Sequence, residues 1–128
     1  MTELAKPQPA PGSESARVLD QTSKIDQRTA ACGASDACYM AAYSQADHAL
    51  NAEWKKLPKE VKASQLAAQV KWMGDRNRDW GDPDAALEAG APPATGTKGA
   101  LASAGAVAAV EARAVELANI YDQTVANK

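Results

Sequence analysis

The sequence contains no phenylalanine, a single histidine and no long apolar run. No window comes near the roughly 20 consecutive apolar residues of a membrane-spanning helix. No stretch alternates β-branched or aromatic residues with polar ones, as a half-buried strand would. Apolar residues make up 45% of the 128, and much of that share is alanine, which favours helices and fills strands poorly. The composition therefore predicts a single all-α domain without a membrane span.

The charge balance excludes several classes of partner and cofactor. The net charge is −2 at pH 7 and the isoelectric point is about 5.4. Lysines and arginines are spread along the chain among acidic residues, whereas a nucleic-acid partner requires a basic face. Phosphate-binding glycine loops, HExxH zinc motifs and paired CxxC motifs are missing. The sequence thus predicts no nucleic acid, no metal and no organic cofactor.

The first twelve residues differ in composition from the rest of the chain. They contain Pro7, Pro9 and Pro11 with little apolar content, which is typical of a flexible tail or tether. No secretory signal is visible, because the first fifteen residues lack an apolar core segment. Met1 is therefore either a native start or the replacement of a removed signal.

Residue spacing predicts a small bundle of four helices, at about residues 13–32, 35–57, 59–80 and 100–125, in one domain over residues 13–128. Gly33, Pro58 and the Gly81-Asp82-Pro83 turn mark the ends of the first three helices. Residues 81–99 form the one long loop. The expected buried faces are Val18, Thr22, Ile25, Thr29 and Cys32 in the first helix, Tyr39, Tyr43, Ala46, Leu50, Trp54 and Leu57 in the second, Val61, Leu66, Trp72, Met73 and Trp80 in the third, and Ala106, Val110, Ala114, Leu117, Tyr121 and Thr124 in the fourth.

No group of residues forms a catalytic constellation. His48 falls on the face of its helix opposite the apolar stripe, so a solvated histidine is expected there, and no nucleophile accompanies it. Asp82 and Asp84 flank a proline and are interpreted as ordinary loop residues rather than a glycosidase pair. The sequence therefore favours a binding protein over an enzyme.

The two cysteines, Cys32 and Cys38, leave three readings open. In an exported protein they would form a structural disulfide between the first two helices, and in a cytosolic one they would be idle thiols. Redox or metal chemistry is the third reading. It is disfavoured by their spacing and by the lack of further good ligands.

Five polar residues lie on or beside helix faces that otherwise suit the core: Asp47, Asn51, Gln69, Arg76 and Arg113. A half-buried arginine needs a partner, because an unpaired buried charge costs several kcal/mol. The residues are interpreted either as a structural network where the second, third and fourth helices meet, or as a binding site between those helices. At least one arginine is expected to pair with Asp47.

Three short patterns occur in order along the chain. They are Asp47 followed by Leu50-Asn51, Gln69 followed by Trp72 and Arg76, and Arg113 followed by Glu116-Leu117. With the preceding Cys38, these patterns resemble the LprI-like family of bacterial lysozyme-inhibitor domains over about residues 32–121. The resemblance implies an exported helical protein of the bacterial envelope, periplasmic or otherwise extracytoplasmic, and it is compatible with a tether in the full-length protein.

The resemblance also implies a function and a partner. The expected role is non-enzymatic inhibition of a lysozyme or related wall-cleaving enzyme, and the alternative is an envelope immunity or adaptor protein with another protein partner. Asp82, Asp84 and Glu88 at the start of the loop are the predicted contacts to a cationic lysozyme. The competing reading of residues 82–99 is a disordered connector.

The chain departs from the family pattern in its cysteines. Members usually carry two more, one soon after the Trp–Arg segment and one before the last arginine. Here both are absent, the first near Trp80 and the second within residues 102–106. The loop over residues 82–99 is therefore expected to be held less tightly.

Overall fold

The computed structural model describes residues 11–84 and 95–126, and these contain four helices. They are α1 (Glu14–Ala30), α2 (Asp36–Lys56), α3 (Lys59–Trp80) and α4 (Ala104–Ala126). The predicted all-α bundle is confirmed, although α4 starts a turn later than expected. Within the described ranges, no helix is both long and apolar enough to cross a membrane.

The corner between α1 and α2 is built from local signals. Ser35 caps α2, its hydroxyl accepting a hydrogen bond from the Cys38 amide at 3.1 Å. Gly33 has a φ of 59°, a left-handed conformation that favours glycine after a helix. Cys32 and Cys38 are joined in a disulfide, whose short closed loop stabilises the fold by roughly 2 kcal/mol in the chain-entropy model.

The core lies where α2 packs against α4, with α1 across both. Its members are mostly small: Val18, Ile25, Ala42, Tyr43, Ala46, Leu50, Leu57, Leu101, Ala106, Val107, Val110, Ala114, Leu117 and Ala118. The faces predicted for α1, α2 and α4 agree with this core, with their outer members Thr29, Tyr39, Trp54, Tyr121 and Thr124 only half-buried. Helical periodicity identifies these faces because their polar residues point to the opposite side.

A carboxylate from α4 holds the start of α1 in place. Asp122 accepts hydrogen bonds from the backbone amides of Glu14 and Ser15, both at 2.9 Å, and from the Ser15 hydroxyl. The first amides of a helix have no partner within the helix, and they favour a negative charge. Burial alone would raise the pKa of Asp122, but the hydrogen bonds from Ser15 hold it below its usual range.

Two glutamates are buried that the sequence analysis did not identify. Glu53 is completely buried and lies 2.8 Å from the Arg17 guanidinium and 3.3 Å from the Lys56 ammonium. Glu111 is 7% exposed on α4 and faces Asp26 on α1. Burial, followed by the neighbouring carboxyl, raises the pKa of Glu53 to about 7 and that of Glu111 to about 8.

The predicted inner face of α3 is wrong at two positions. Leu66 and Met73 are 55% and 44% exposed. The buried residues of α3 are the polar Gln69 and Arg76, and Trp72 and Trp80 pack half-buried against the core. The apolar residues of α3 surround much of the helix, so periodicity alone does not select a face.

Residues 95–100 are attached to the end of α3. The amides of Thr97 and Lys98 donate to the carbonyls of Arg78 and Asp79, at 2.9 and 2.7 Å, so they satisfy acceptors that a helix end leaves unpaired. The Trp80 ring lies against Gly99 and Gly105. This part of the loop is therefore held by backbone hydrogen bonds and a tryptophan.

Gly105→Ala should destabilise the protein, because a Cβ there would lie 2.4 Å from Cη2 of the Trp80 ring. We expect a loss of about 1–3 kcal/mol in the free energy of unfolding, measured by urea denaturation. Gly74→Ala is the matched control, since a Cβ there meets nothing within 4 Å. That change should stabilise α3 by roughly 0.5–1 kcal/mol. Equal effects of the two substitutions would contradict the packing of Trp80.

The raised pKa of Glu111 predicts a loss of stability in mildly alkaline solution. Its folded value of about 8 exceeds the ordinary 4.5, so the folded state keeps a proton that the unfolded chain has lost. The contribution is complete below pH 4.5 and is lost as the pH rises through about 8. Glu111→Gln should therefore lose less stability than the wild type between about pH 5 and 9, by roughly 2–4 kcal/mol.

Urea denaturation at several pH values measures this difference. Glu60→Gln, at an exposed position of α3, provides the control and should follow the wild-type profile. Glu53 titrates in the same direction, so part of the pH dependence should remain in Glu111→Gln. Identical profiles for Glu111→Gln and the wild type would disprove the assignment.

Candidate functional site

A pocket of about 360 Å³ opens between the first half of α2 and the turn after α3. Its lining residues are Met40, Ala41, Tyr43, Ser44, Asp47, Pro83 and Asp84. Met40, Ser44 and Asp47 follow each other at four- and three-residue steps, so they share one face of α2. The pocket is therefore a helix face covered by a turn.

The turn reaches α2 because the chain changes direction at Gly81. Gly81 has a φ of 111°, which few residues other than glycine adopt, and its amide donates to the Asn77 carbonyl at 2.9 Å. The Asp82 carboxylate then accepts a hydrogen bond from the Asp84 amide at 2.9 Å. This local bond shapes the turn and places Pro83 and Asp84 over α2.

The floor of the pocket is formed by Tyr43 and the arginine beneath it. Arg76 donates a hydrogen bond to the Tyr43 hydroxyl, and its guanidinium lies 4.0 Å from the Asp47 carboxylate and 5.4 Å from the Trp72 ring centroid. Burial raises the pKa of Tyr43 to about 12, although the charge of Arg76 acts against the shift. The tyrosine hydroxyl therefore stays neutral and remains a hydrogen-bonding group at neutral pH.

The pocket presents carboxylates to the solvent and keeps its cation inside. The Asp47 side chain is 38% exposed and that of Arg76 is 7% exposed. Asp84 is exposed, and the described residues that line the pocket include no lysine or arginine. Met40 and Pro83 add apolar surface. Such a site suits a positively charged group with an aliphatic stem.

The structure places the five residues of the predicted polar network in two groups. Arg76 joins α3 to Asp47 and Tyr43 of α2, and the Asn51 amide donates to Asp47 at 3.3 Å. The second group contains Arg113, which donates to Gln69 at 2.8 Å and to Glu116 at 3.5 Å, and which therefore joins α4 to α3. One Nη of Arg113 is buried without a partner among the described residues.

The three predicted partner-binding residues differ in their position relative to the pocket. Asp84 lines the pocket, and Asp82 shapes the turn through its bond to the Asp84 amide. Glu88 lies outside the described residues. The structure thus brings the loop acid Asp84 to the same pocket as Asp47, which the sequence had assigned to a separate cluster.

Sequence reasoning missed the rest of the lining. Met40, Ala41 and Ser44 lie beside the predicted apolar stripe of α2, and the sequence predicts Tyr43 as a core residue. The available signal was the spacing of Met40, Ser44 and Asp47 on one face. The covering turn, in contrast, depends on tertiary structure. Among residues 11–84 and 95–126, no cluster of three His, Cys, Asp or Glu side chains could hold a metal ion.

Arg76→Ala should destabilise the protein by about 3 kcal/mol in urea denaturation. The change removes a buried cation together with its hydrogen bond to the Tyr43 hydroxyl and its ion pair with Asp47. Arg78→Ala is the control, because that side chain is 61% exposed and surface ion pairs contribute little. Equal effects of the two changes would show that Arg76 does not join α2 to α3.

The chain matches no protein-family model, no curated protein and no solved structure. Relatives therefore supply no function for this pocket. The observations that bear on function are the shape of the pocket, its exposed carboxylates and its apolar wall.

Proposed function

We propose that this protein is a non-enzymatic binding protein that inhibits a cationic wall-cleaving enzyme of the lysozyme type. The observation that carries the proposal is the acidic pocket lined by Met40, Tyr43, Asp47 and Asp84. The resemblance to LprI-like domains supplies the class of partner. The disulfide between Cys32 and Cys38 supports an extracytoplasmic location, because such bonds persist in oxidising compartments.

The pocket suits one basic side chain of the partner. Its volume of about 360 Å³ is at the low end of the range for ligand sites, roughly 300–1,000 Å³. The stem of a lysine or arginine would pack on Met40 and Pro83, and its charged end would meet Asp47 and Asp84. A basic side chain in a central pocket is a common anchor of protein interfaces.

The charge of the pocket should raise the rate of association with a basic partner and favour such partners over others. The chain has a net charge of −2, and the pocket shows carboxylates at its surface. Attraction to a basic partner accelerates association at low salt and weakens as salt screens it. The proposed complex should therefore dissociate more readily as ionic strength rises.

An envelope immunity or adaptor role would use the same pocket for a basic segment of another protein. No contact in the described residues favours that role over inhibition. The two are separated by experiment, since an adaptor would bind its partner without reducing wall lysis.

The test is a wall-lysis assay with a c-type lysozyme together with a direct measurement of binding. We expect wild type to inhibit lysis, and Ser44→Arg to weaken inhibition at least tenfold. Ser44 lines the pocket and is exposed, so arginine there would fill the pocket and repel a cation. The triple change of Asp82, Asp84 and Glu88 to Ala should also weaken inhibition, by removing loop charge.

Asp20→Asn is the matched control. Its carboxylate lies on α1, 71% exposed, and pairs with Lys24, so the variant loses one charge away from the pocket and should inhibit like wild type. Lysis unaffected by the wild type would reject the lysozyme partner. Full inhibition by Ser44→Arg would show that the pocket is not the binding site. Binding that does not weaken as the salt concentration rises would rule out the charge mechanism.

A further inference from the structure

The acceptor oxygens of the pocket come from two different elements. Ser44 and Asp47 are three residues apart on one face of α2, and Asp84 belongs to the turn that covers this face. Their side chains bring one hydroxyl and two carboxylates, all of which accept hydrogen bonds. A cation that enters the pocket therefore meets acceptors on both the helix and the turn.

Both oxygens of the Asp47 carboxylate already have a neighbour within the protein. Oδ1 lies 4.0 Å from Nη1 of the Arg76 guanidinium, and Oδ2 accepts a hydrogen bond from the Asn51 amide at 3.3 Å. A bidentate pair with an arginine of the partner would need both oxygens in the plane of the incoming guanidinium. The existing neighbours compete for those positions, so Asp47 is suited to accept a single hydrogen bond.

Asp84 alone gives an arginine little advantage. This residue is exposed, and an ion pair formed in solvent contributes little to binding. To gain more, the cation must also reach Asp47, whose side chain is only 38% exposed. The pocket thus offers several single acceptors on two elements rather than one carboxylate that is open for bidentate pairing.

We infer that the pocket selects a lysine of the partner over an arginine. The ammonium would be held by Ser44, Asp47 and Asp84. The aliphatic stem would pack on Met40 and Pro83, as the stems of basic side chains commonly do on apolar surface. This inference rests on the proposed function, because it specifies which basic side chain of the partner enters the pocket.

The two cations differ in the geometry of their donors. An ammonium is a compact charge with three donors on a rotating group, so it can bond to three acceptors that lie on separate residues. A guanidinium is planar, its donors point in fixed directions, and it gains most from a bidentate carboxylate. The arrangement of acceptors in the pocket therefore matches the ammonium better.

Methyl NMR of the full chain tests this selectivity without any enzyme. Nα-acetyl-lysine methylamide should shift the Met40 methyl signal in a saturable way, because Met40 lines the pocket. Met73 provides the internal control, since it lies on α3, is 44% exposed and does not line the pocket. We expect the arginine derivative to bind at least threefold more weakly. The norleucine derivative, which has a similar stem without the charge, should bind more weakly than either.

Asp84→Asn should weaken binding of the lysine derivative at least threefold, because it removes one of the two carboxylates that line the pocket. Asp84 is exposed, so the variant should fold normally. Asp20→Asn, 71% exposed on α1, loses the same charge away from the pocket and should bind the lysine derivative like wild type.

Guanidination of a c-type lysozyme connects the inference to the proposed function. O-methylisourea converts each lysine ammonium into a guanidinium and preserves its charge. The protein should therefore inhibit the guanidinated enzyme at least threefold less than the native enzyme, each measured against its own uninhibited lysis.

The two experiments separate failure of the inference from failure of the proposed function. If native lysozyme is not inhibited but the lysine derivative still binds best, the proposed function fails and the pocket remains a site for an alkyl ammonium. Equal inhibition of native and guanidinated lysozyme would overturn the inference and leave the proposed function in place. Equal binding of the lysine and arginine derivatives would also overturn it, as would a Met40 signal that the lysine derivative does not shift.

Discussion

Alanine at the contact between α2 and α4 is the constraint on which the rest of the bundle depends. Ala42, Ala46, Ala106, Ala114 and Ala118 are all completely buried, and helices with small residues at their contact approach closely. Each alanine removes little apolar surface from water. The resulting core is narrow, with room for α1 across it, and α3 lies at its edge.

The narrow core between α2 and α4 explains why buried polar groups are needed to attach the other helices. Arg76 and Gln69 attach α3 to α2 and α4 through specific partners, and such contacts tolerate few alternative positions because an unpaired partner is costly. The N-terminus of α1 is held by Asp122 and its C-terminal end by the disulfide. Hydrogen bonds, an ion pair and the disulfide thus set the positions of α1 and α3, which the alanine contact between α2 and α4 does not specify closely.

The same arrangement shapes two surfaces of the molecule. The turn after α3 covers one face of α2 and forms the acidic pocket, which suits a basic side chain. In addition, α3 presents apolar residues to the solvent. Both surfaces exist because α3 lies at the edge of the core.

Much of this fold could be predicted from sequence because the relevant signals are local. Ser35, Gly33 and Pro58 mark helix ends through their own backbone chemistry, and the apolar steps of α1, α2 and α4 repeat with the period of a helix. The sequence also predicts that at least one arginine pairs with Asp47, because a buried charge requires a partner, and in the structure that arginine is Arg76. These features depend on neighbours within a few residues, or on a rule that holds in any fold.

The sequence by itself determined the helical class, the approximate helix bounds and three of the four buried faces. Tertiary structure alone decided which way α3 faces, because its apolar residues surround the helix. The contacts of Arg76 with Tyr43 and of Gln69 with Arg113 turn a polar side inward. It also decided the burial of Glu53 and Glu111, each of which acquires its environment from α1. The pocket could not be predicted from local sequence for the same reason. Asp47 and Asp84 are distant in the chain, and they line one pocket only because the turn after α3 packs on α2.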